Sequence, residues 1–284
     1  MITVKDLSYR VSAALNLKRL SFDIRPGGIT AILGPNGAGK STLIKLITGV
    51  LQADDGNIFL NHLPLTYWRN TDGLAQIAAV LHQQHTLQLP FTVKEIVMMG
   101  RYPHFKTRET EKDHRIVEEV MQQLGVHHLS ARNVLTLSGG EQQRVHLARV
   151  LAQVSGPSSG EPKFLFMDEP SNNLDIVHQH TLLHIAGSFA RKGNCVLVVL
   201  HDLNLALQYA DNILLLQSGS IKASGHPETI LSDDLLSEVY GFPLSIIRTP
   251  HCRHPIILAG LNTEHQKQLS CNHFKNQEQC PILS

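Results

Sequence analysis

The sequence lacks a hydrophobic run long enough to cross a lipid bilayer. Its longest apolar runs, such as CVLVVL at residues 195–200, are far shorter than the roughly 20 residues that a transmembrane helix needs. The first ten residues, MITVKDLSYR, also lack the positive patch and apolar core of a signal peptide, so we expect no export. Any association with a membrane is therefore expected to be peripheral.

An excess of charge of either sign is also missing. Lys and Arg number 25 against 24 Asp and Glu, and the formal net charge of +1 gives no electrostatic case for binding nucleic acid. Cysteine is scarce, with four residues in 284, which is too few for the disulfide framework of a small secreted protein. This composition favours a reducing, cytosolic setting.

What the chain does have is 42% hydrophobic residues, enough for a substantial core, in spacings that change along its length. Short alternating runs and turn signals in the first 80 residues predict antiparallel strands. From about residue 92 to 153 the period becomes helical. KFLFMD and CVLVVLHD then read as buried strands separated by a helix, the pattern of a parallel sheet. We predict an α/β domain over residues 1–262, with a helical subdomain at about 85–153 and a flexible Gln/Asn/His/Cys-containing tail at 263–284.

The segment GPNGAGKST at residues 34–42 matches the phosphate-binding pattern G-x-x-x-x-G-K-[ST] in full. An apolar strand, GITAILG, precedes it, and a helix, KSTLIKLITGV, follows with Leu43, Leu46, Ile47 and Val50 expected on one face. Backbone N–H groups must close on phosphate oxygens there, which explains the glycines. A glycine-rich turn with an incidental lysine is the weaker alternative. The candidate ATP-binding residues are Gly34, Pro35, Asn36, Gly37, Ala38, Gly39, Lys40, Ser41 and Thr42.

Within that loop Lys40 is expected to reach the β and γ phosphates, and Ser41 to ligate Mg²⁺. FLFMDEP supplies a second acidic element at the end of a buried strand. We expect Asp168 to be the Mg²⁺ partner and Glu169 the general base that orients the attacking water. His201 closes a third strand, beside the phosphate loop, and could contact the γ phosphate. Taken alone, an Asp-Glu pair is more often a solvated turn, and a lone histidine is more often structural.

A pair of glycines opens the helical stretch LSGGEQQRVHLARVLAQV at residues 137–154. Ser138, Gly139, Gly140 and Glu141 fit the capping box S-x-x-E, which explains a helix start but not the glycines. Each glycine costs about 1 kcal/mol relative to alanine in a helix. The pair therefore indicates that another group approaches this backbone closely.

Five segments occur in order along the chain: GPNGAGKST, LSGGEQQR, FLFMDEP, SNNLD and VLHD. Together they resemble the ATP-binding subunit of an ABC transporter, over residues 1 to about 260. The resemblance implies a P-loop NTPase fold of the ABC ATPase type, with a mainly parallel core sheet, an N-terminal antiparallel β subdomain and an inserted α-helical subdomain. It also implies an ATPase that uses ATP and Mg²⁺ and is coupled to transport.

In that family the Ser-Gly-Gly loop of one subunit binds the γ phosphate held by the other. The resemblance therefore implies a head-to-tail homodimer in which residues 138–141 complete the partner's ATP site. It places Asp175 in the loop between the two sites. It further implies that Glu169 and His201 act in hydrolysis.

The family also has a glutamine that senses the γ phosphate and leads to the transmembrane partner. After the strand IAAVLHQ we assign it to Gln83, with Gln84 as the alternative, and expect it to act in catalysis and to ligate Mg²⁺. The following segment, LPFTVKEIVMMGRYPH, is expected to form a groove for a short cytoplasmic helix of a permease. An aromatic side chain often stacks on adenine in this family, but the position falls on Val11 here, with Tyr9 two residues earlier.

FTVKEIVMMGRYPH and HDLNLALQYAD resemble the group that imports iron chelates, vitamin B12 and haem, and LSGGEQQRVHLARVLAQV and LDIVHQHTLLHIA resemble its haem importers. The resemblance implies two permease copies, a periplasmic or surface substrate-binding protein, no direct contact with cargo, and a peripheral location on the cytoplasmic face of the inner membrane. A non-transport ABC ATPase, for iron-sulfur assembly or DNA, is the alternative from another class. Cys and His residues after position 250 could bind haem iron or a transition metal, or could be incidental.

Overall fold

The computed structural model describes residues 1–11, 15–71, 73–82, 89–156, 160–170, 175–250 and 252–260. Gln83, Gln84 and the predicted tail at 263–284 lie outside these described residues, as does most of the SNNLD segment. The strands are β1 Ile2–Arg10, β2 Asn16–Ile24, β3 Ile29–Leu33, β4 Asp55–Leu60, β5 Leu63–Pro64, β6 Ala78–Leu81, β7 Phe164–Asp168, β8 Cys195–Val199, β9 Asn212–Gln217, β10 Ser220–Gly225, β11 Leu244–Ile247 and β12 Ile256–Ala259. The α-helices are α1 Lys40–Ile47, α2 Leu65–Asn70, α3 Leu74–Ile77, α4 Val93–Met99, α5 Glu111–Gln123, α6 Gly139–Val154, α7 Ile176–Arg191, α8 Leu203–Tyr209, α9 Pro227–Ile230 and α10 Asp233–Tyr240.

The N-terminal strands form the predicted antiparallel sheet, in the order β2-β1-β4-β5. Ile2 of β1 pairs with Ile24 of β2 on one side and with Leu60 of β4 on the other. All three side chains are buried, since one face of this sheet packs on the core. The alternating runs of the sequence therefore identify this subdomain correctly.

The core sheet has six strands in the order β10-β9-β3-β8-β7-β6. Strands β9, β3, β8, β7 and β6 are parallel, and β10 is an antiparallel edge. Alternate residues of β8 face opposite layers, with Leu197 packing toward α1 and the N-terminal sheet, and Val198 toward the helical side. Strand β8 lies between β3 and β7, so the carboxyl ends of these three strands meet at one edge of the sheet.

Helix α1 is shorter than the sequence pattern predicts. Leu43, Leu46 and Ile47 are buried as expected, but the helix ends at Ile47 and the chain turns at Thr48 and Gly49. Val50 lies beyond the turn and 65% of it is exposed, so its assignment to the buried helical face is wrong. The apolar spacing in the sequence continues past the end of the helix, because this spacing does not indicate where the backbone turns.

The helical subdomain consists of α4, α5 and α6, and α5 buries Ile116, Val117, Val120 and Met121 in the core. A buried ion pair joins its elements, because Arg101 Nε donates to Asp113 Oδ1 at 2.9 Å. The same guanidinium donates to the carbonyl oxygens of Ala152 and Ser155 at the end of α6. Within the described residues, no helix combines the length and apolar character that crossing a bilayer requires.

Candidate nucleotide-binding site

The glycine-rich loop at residues 34–42 leaves the end of β3 and enters α1. Gly34 has to be glycine, because a Cβ there would collide with the backbone oxygen of Leu216 on the neighbouring strand. Gly39 is the residue before α1 and has φ +101, in the left-handed region. The first N–H groups of the helix have no intrahelical partner, so they and the positive end of the helix dipole form a place for phosphate oxygens.

Lys40 is held inside this loop, with 5% of the residue exposed. Its Nζ donates to the carbonyl oxygens of Gly34 at 2.8 Å and Pro35 at 3.1 Å. Burial lowers the pKa of Lys40, while the Glu169 and Asp168 carboxylates nearby raise it. A cation is thus placed where the loop closes, and the residues present fit a polyphosphate.

Ser41 and Asp168 come together from the start of α1 and the end of β7. The Ser41 hydroxyl donates to Asp168 Oδ1 at 2.9 Å, although the two residues are 127 positions apart. Hydroxyl and carboxylate oxygens are the ligands that Mg²⁺ prefers, so this pair fits the predicted metal. The third predicted ligand, Gln83, lies outside the described residues.

Glu169 and His201 form the second pair at this edge. His201 Nε2 lies 2.6 Å from Glu169 Oε1, with 36% and 18% of the respective side chains exposed. Glu169 has φ +51, which is uncommon for a residue other than glycine and is found at functional sites. The structure therefore brings a carboxylate and an imidazole together beside the phosphate loop, with the carboxylate close enough to Lys40 to affect its pKa.

Tyr240, at the end of α10, belongs to this site and was missed by the sequence reasoning. Its hydroxyl oxygen accepts a hydrogen bond from the Gly34 N–H at 3.0 Å. Burial raises the pKa of Tyr240 to about 12, although the hydrogen bond from Gly34 opposes that rise. Because 206 positions separate the two residues, no local sequence signal could have revealed the contact.

The turn at residues 138–141 contains the predicted capping box. Ser138 Oγ accepts from the Glu141 N–H, and the Glu141 carboxylate accepts from the Ser138 N–H at 2.8 Å. Hydrogen bonds that the Ser138 N–H and hydroxyl donate to this carboxylate lower the pKa of Glu141. No hydrogen bond or ion pair among the described residues joins this turn to residues 34–42.

The two glycines of this turn have different surroundings. A Cβ on Gly139 would meet nothing within 4 Å, so nothing described in the chain itself requires glycine there. A Cβ on Gly140 would lie 3.0 Å from two ring atoms of His178, which does restrict that position. The family resemblance implies that both glycines serve a second molecule, and for Gly140 a reason also exists within the chain.

Asp175 is the N-cap of α7. Its Oδ1 accepts from the His178 N–H at 2.9 Å and lies 2.7 Å from His178 Nδ1. The next two residues, Ile176 and Val177, are 71% and 67% exposed. An apolar pair this open, beside a fixed carboxylate, is a feature of surfaces that contact another protein.

A groove of about 1050 Å³ lies between the helical subdomain and the core. Arg149 Nε is buried there and has no hydrogen-bond partner among the described residues, and burial lowers the pKa of Arg149. Pro103 and His104 of the predicted groove segment do line it. No acidic residue is among its described lining, and its basic side chains are Arg69, His82, His104, Lys106 and Arg149.

Comparison with known proteins agrees with this geometry. Residues 17–172 match the family described as ABC transporter. The Hemin import ATP-binding protein HmuV of Pseudomonas aeruginosa is 44% identical over 260 residues, which cover 91% of this chain and 100% of that protein. The protein of the same name from Gloeobacter violaceus is 40% identical over 258 residues, or 91% and 94% of the two chains. A solved metal-chelate type ABC transporter in an inward-facing conformation superimposes with a TM-score of 0.78 at 25% identity, covering 93% of this chain and 98% of that one.

Proposed function

Because the chain belongs to the ABC transporter family, we propose that it is the subunit that powers the import of haem. It binds ATP and hydrolyses it to ADP and phosphate. We choose haem as the cargo because the chain is similar to the hemin import protein of Pseudomonas aeruginosa over the whole length of that protein. The side chains gathered at the carboxyl edge of the core sheet support the hydrolysis of ATP.

Each residue at that edge has a role that its contacts support. The buried Lys40 ammonium neutralises charge on the β and γ phosphates as the loop N–H groups hold their oxygens. Glu169 accepts the proton of the attacking water and orients it. His201, 2.6 Å from that carboxylate, holds it in place and lies where it can contact the γ phosphate. Phosphoryl transfer requires mainly such positioning and charge stabilisation from the protein.

Ser41 and Asp168 would hold Mg²⁺, with Gln83 as a further ligand from the segment that follows β6. When bound, the metal supplies positive charge that offsets the charge on the β and γ phosphates. The hydrogen bond between Ser41 and Asp168 keeps the two oxygen donors together.

Two copies of the chain would complete each other's ATP sites in a head-to-tail homodimer. Residues 138–141 present the N–H end of a 16-residue helix, and no hydrogen bond or ion pair among the described residues joins them to the chain's own phosphate loop. The open space at Gly139 leaves room for the partner's nucleotide to approach the backbone. The exposed pair Ile176 and Val177 would be covered in the same dimer.

The cationic groove is the surface that we assign to the permease. A guanidinium nitrogen that is buried without a hydrogen bond to any described residue is costly, and a carboxylate from an incoming segment would relieve that cost. We infer that the permease segment carries an acidic side chain that approaches Arg149. Two permease copies, a separate substrate-binding protein and a peripheral position on the cytoplasmic face of the inner membrane complete the proposed assembly.

Reconstitution with the cognate permease in liposomes tests this function. ATP-driven uptake of haem is expected, with little uptake of vitamin B12 or a ferric siderophore; preference for either of these would replace haem as the cargo. In the same system Lys106→Glu, in the groove, is expected to weaken assembly with the permease several-fold. Lys112→Glu, on α5 and outside the groove lining, is the matched control and should assemble normally.

A further inference from the structure

The loop that begins with Glu169 is attached to the first turns of α6. Gln143 Nε2 donates to the carbonyl oxygen of Pro170 at 3.2 Å. Arg144 Nη1 lies 2.5 Å from His178 Nε2, and the His178 ring packs over Gly140. Gly140, Gln143 and Arg144 are spaced i, i+3 and i+4, so they share one face of the helix. That face touches both ends of the segment from Glu169 to α7.

The chemistry of the three side chains fixes the state of the imidazole. A guanidinium can only donate, so His178 Nε2 must accept from Arg144. The ring proton is then on Nδ1 and is donated to Asp175 Oδ1, 2.7 Å away. In this tautomer His178 both accepts and donates, and it completes a chain of hydrogen bonds from Arg144 to Asp175.

Stability alone gives little reason for this chain of bonds. The side chains of Asp175 and His178 are 64% and 29% exposed, and bonds between side chains this exposed to water add little to stability. What the bonds do is tie two functional segments together. One is the turn at residues 138–141, and the other is the segment that carries Glu169 and Asp175.

The geometry points to His178 as a positioning residue that couples the two ATP sites of the dimer. This inference rests on the proposed function, in which the turn at residues 138–141 acts on the partner's ATP while Glu169 acts on the chain's own. When the turn settles on the partner's nucleotide, Arg144 and His178 transmit its position to Asp175, and Gln143 on the same helix face transmits it to Pro170, which follows Glu169. Each site is then competent to hydrolyse when the other is filled.

Steady-state hydrolysis as a function of ATP concentration, with a fluorescent ATP analogue to measure binding by the monomer, tests the coupling. His178→Ala should lower kcat several-fold and reduce the Hill coefficient toward one, with unchanged binding by the monomer. His178→Gln, which can still accept from Arg144 and donate to Asp175, should recover part of both. His184→Ala, an exposed histidine on the same helix, is the matched control and should behave as the unsubstituted chain.

Two results would overturn the inference. One is an unchanged Hill coefficient in His178→Ala, and the other is equal loss in His178→Ala and His178→Gln together with a lowered midpoint of thermal unfolding, which would mean a purely structural role. Ser138→Arg separates this failure from failure of the dimer. If Ser138→Arg leaves hydrolysis intact, the shared site itself is wrong; if it abolishes hydrolysis while His178→Ala keeps cooperativity, the coupling role alone is wrong.

Discussion

His201 Nε2 lies 2.6 Å from Glu169 Oε1, and each residue follows the carboxyl end of a neighbouring core strand. This contact depends on the order of the strands, because β8 lies directly beside β7. The His201 side chain thereby holds the carboxylate of the proposed general base in place, at the edge of the sheet where Lys40 and Ser41 also lie.

Glu169→Gln should retain the shape of this pair but remove the proton acceptor. We expect hydrolysis to fall by a factor of about 10² or more, in the range of general-base contributions. ATP binding should persist, so the variant is expected to accumulate as an ATP-stabilised dimer. Turnover measurements and size-exclusion chromatography with and without ATP check both expectations. An unchanged hydrolysis rate would remove Glu169 from this role.

Ser41→Ala should raise the Mg²⁺ concentration needed for half-maximal hydrolysis, because it removes an oxygen donor that the structure holds 2.9 Å from Asp168. The chain offers a matched control in Ser21, whose hydroxyl contacts the Asp6 carboxylate at 3.4 Å in the N-terminal sheet. Titration of Mg²⁺ at fixed ATP should separate the two variants. Equal Mg²⁺ dependence in Ser41→Ala and Ser21→Ala would contradict the assigned metal site.

Gly139→Ala tests whether this glycine serves a second molecule. Nothing described in the chain opposes a methyl group there, and alanine favours a helix over glycine by up to about 1 kcal/mol. The free energy of unfolding of the monomer should therefore stay level or rise, while hydrolysis by the dimer falls at least tenfold. Gly140→Ala should lose that gain in stability, because its methyl group meets the His178 ring. Chemical denaturation and turnover, measured on both variants, decide the point.

The buried pair of Arg101 and Asp113 should make stability depend on acid pH. Burial raises the pKa of Asp113, but hydrogen bonds from Thr110 and Arg101 and the Arg101 charge outweigh that effect and lower it to about 2. Because the folded-state pKa is below the ordinary 3.8, the stabilisation is present above about pH 4 and is lost as pH falls toward 2. Its size is at most about 2 kcal/mol.

Asp113→Asn should remove this part of the pH dependence and leave the Arg101 cation buried without its partner. We expect a loss of about 3 kcal/mol in the free energy of unfolding at neutral pH. Glu118 is on the same helix as Asp113 and makes an exposed contact with Lys94 of α4. Glu118→Gln breaks that contact and should lower the free energy of unfolding by no more than about 0.5 kcal/mol. Denaturant unfolding from pH 7 to pH 2 checks both variants, and parallel pH profiles for Asp113→Asn and the unsubstituted chain would refute the assignment.

The sequence was sufficient for most elements of the fold because the signals are local. The capping box at Ser138 predicted where α6 begins, and the apolar runs before Asp168 and His201 predicted buried strands that end at the site. The roles of these residues needed the family resemblance. Composition gave no information on them.

The contacts that were missed are all long-range. Tyr240 reaches Gly34 across 206 positions, and His178 reaches Arg144 across 34. Neither contact leaves a periodic or cap signal, since each depends on how separate elements pack. The prediction for Val50 was wrong because an apolar spacing was extended past a backbone turn that the spacing does not indicate.

The central claim, that each ATP site is built from two copies of the chain, is tested most directly by mixing two inactive variants. Glu169→Gln removes the general base but keeps ATP binding, and Ser138→Arg disables the turn that acts on the partner. In a mixed dimer one site takes Glu169 from one chain and Ser138 from the other and is complete, while the second site carries both defects but can still hold ATP. A 1:1 mixture should therefore recover hydrolysis toward about a quarter of the unsubstituted rate, and a mixture that stays at the background of the separate variants would contradict the account.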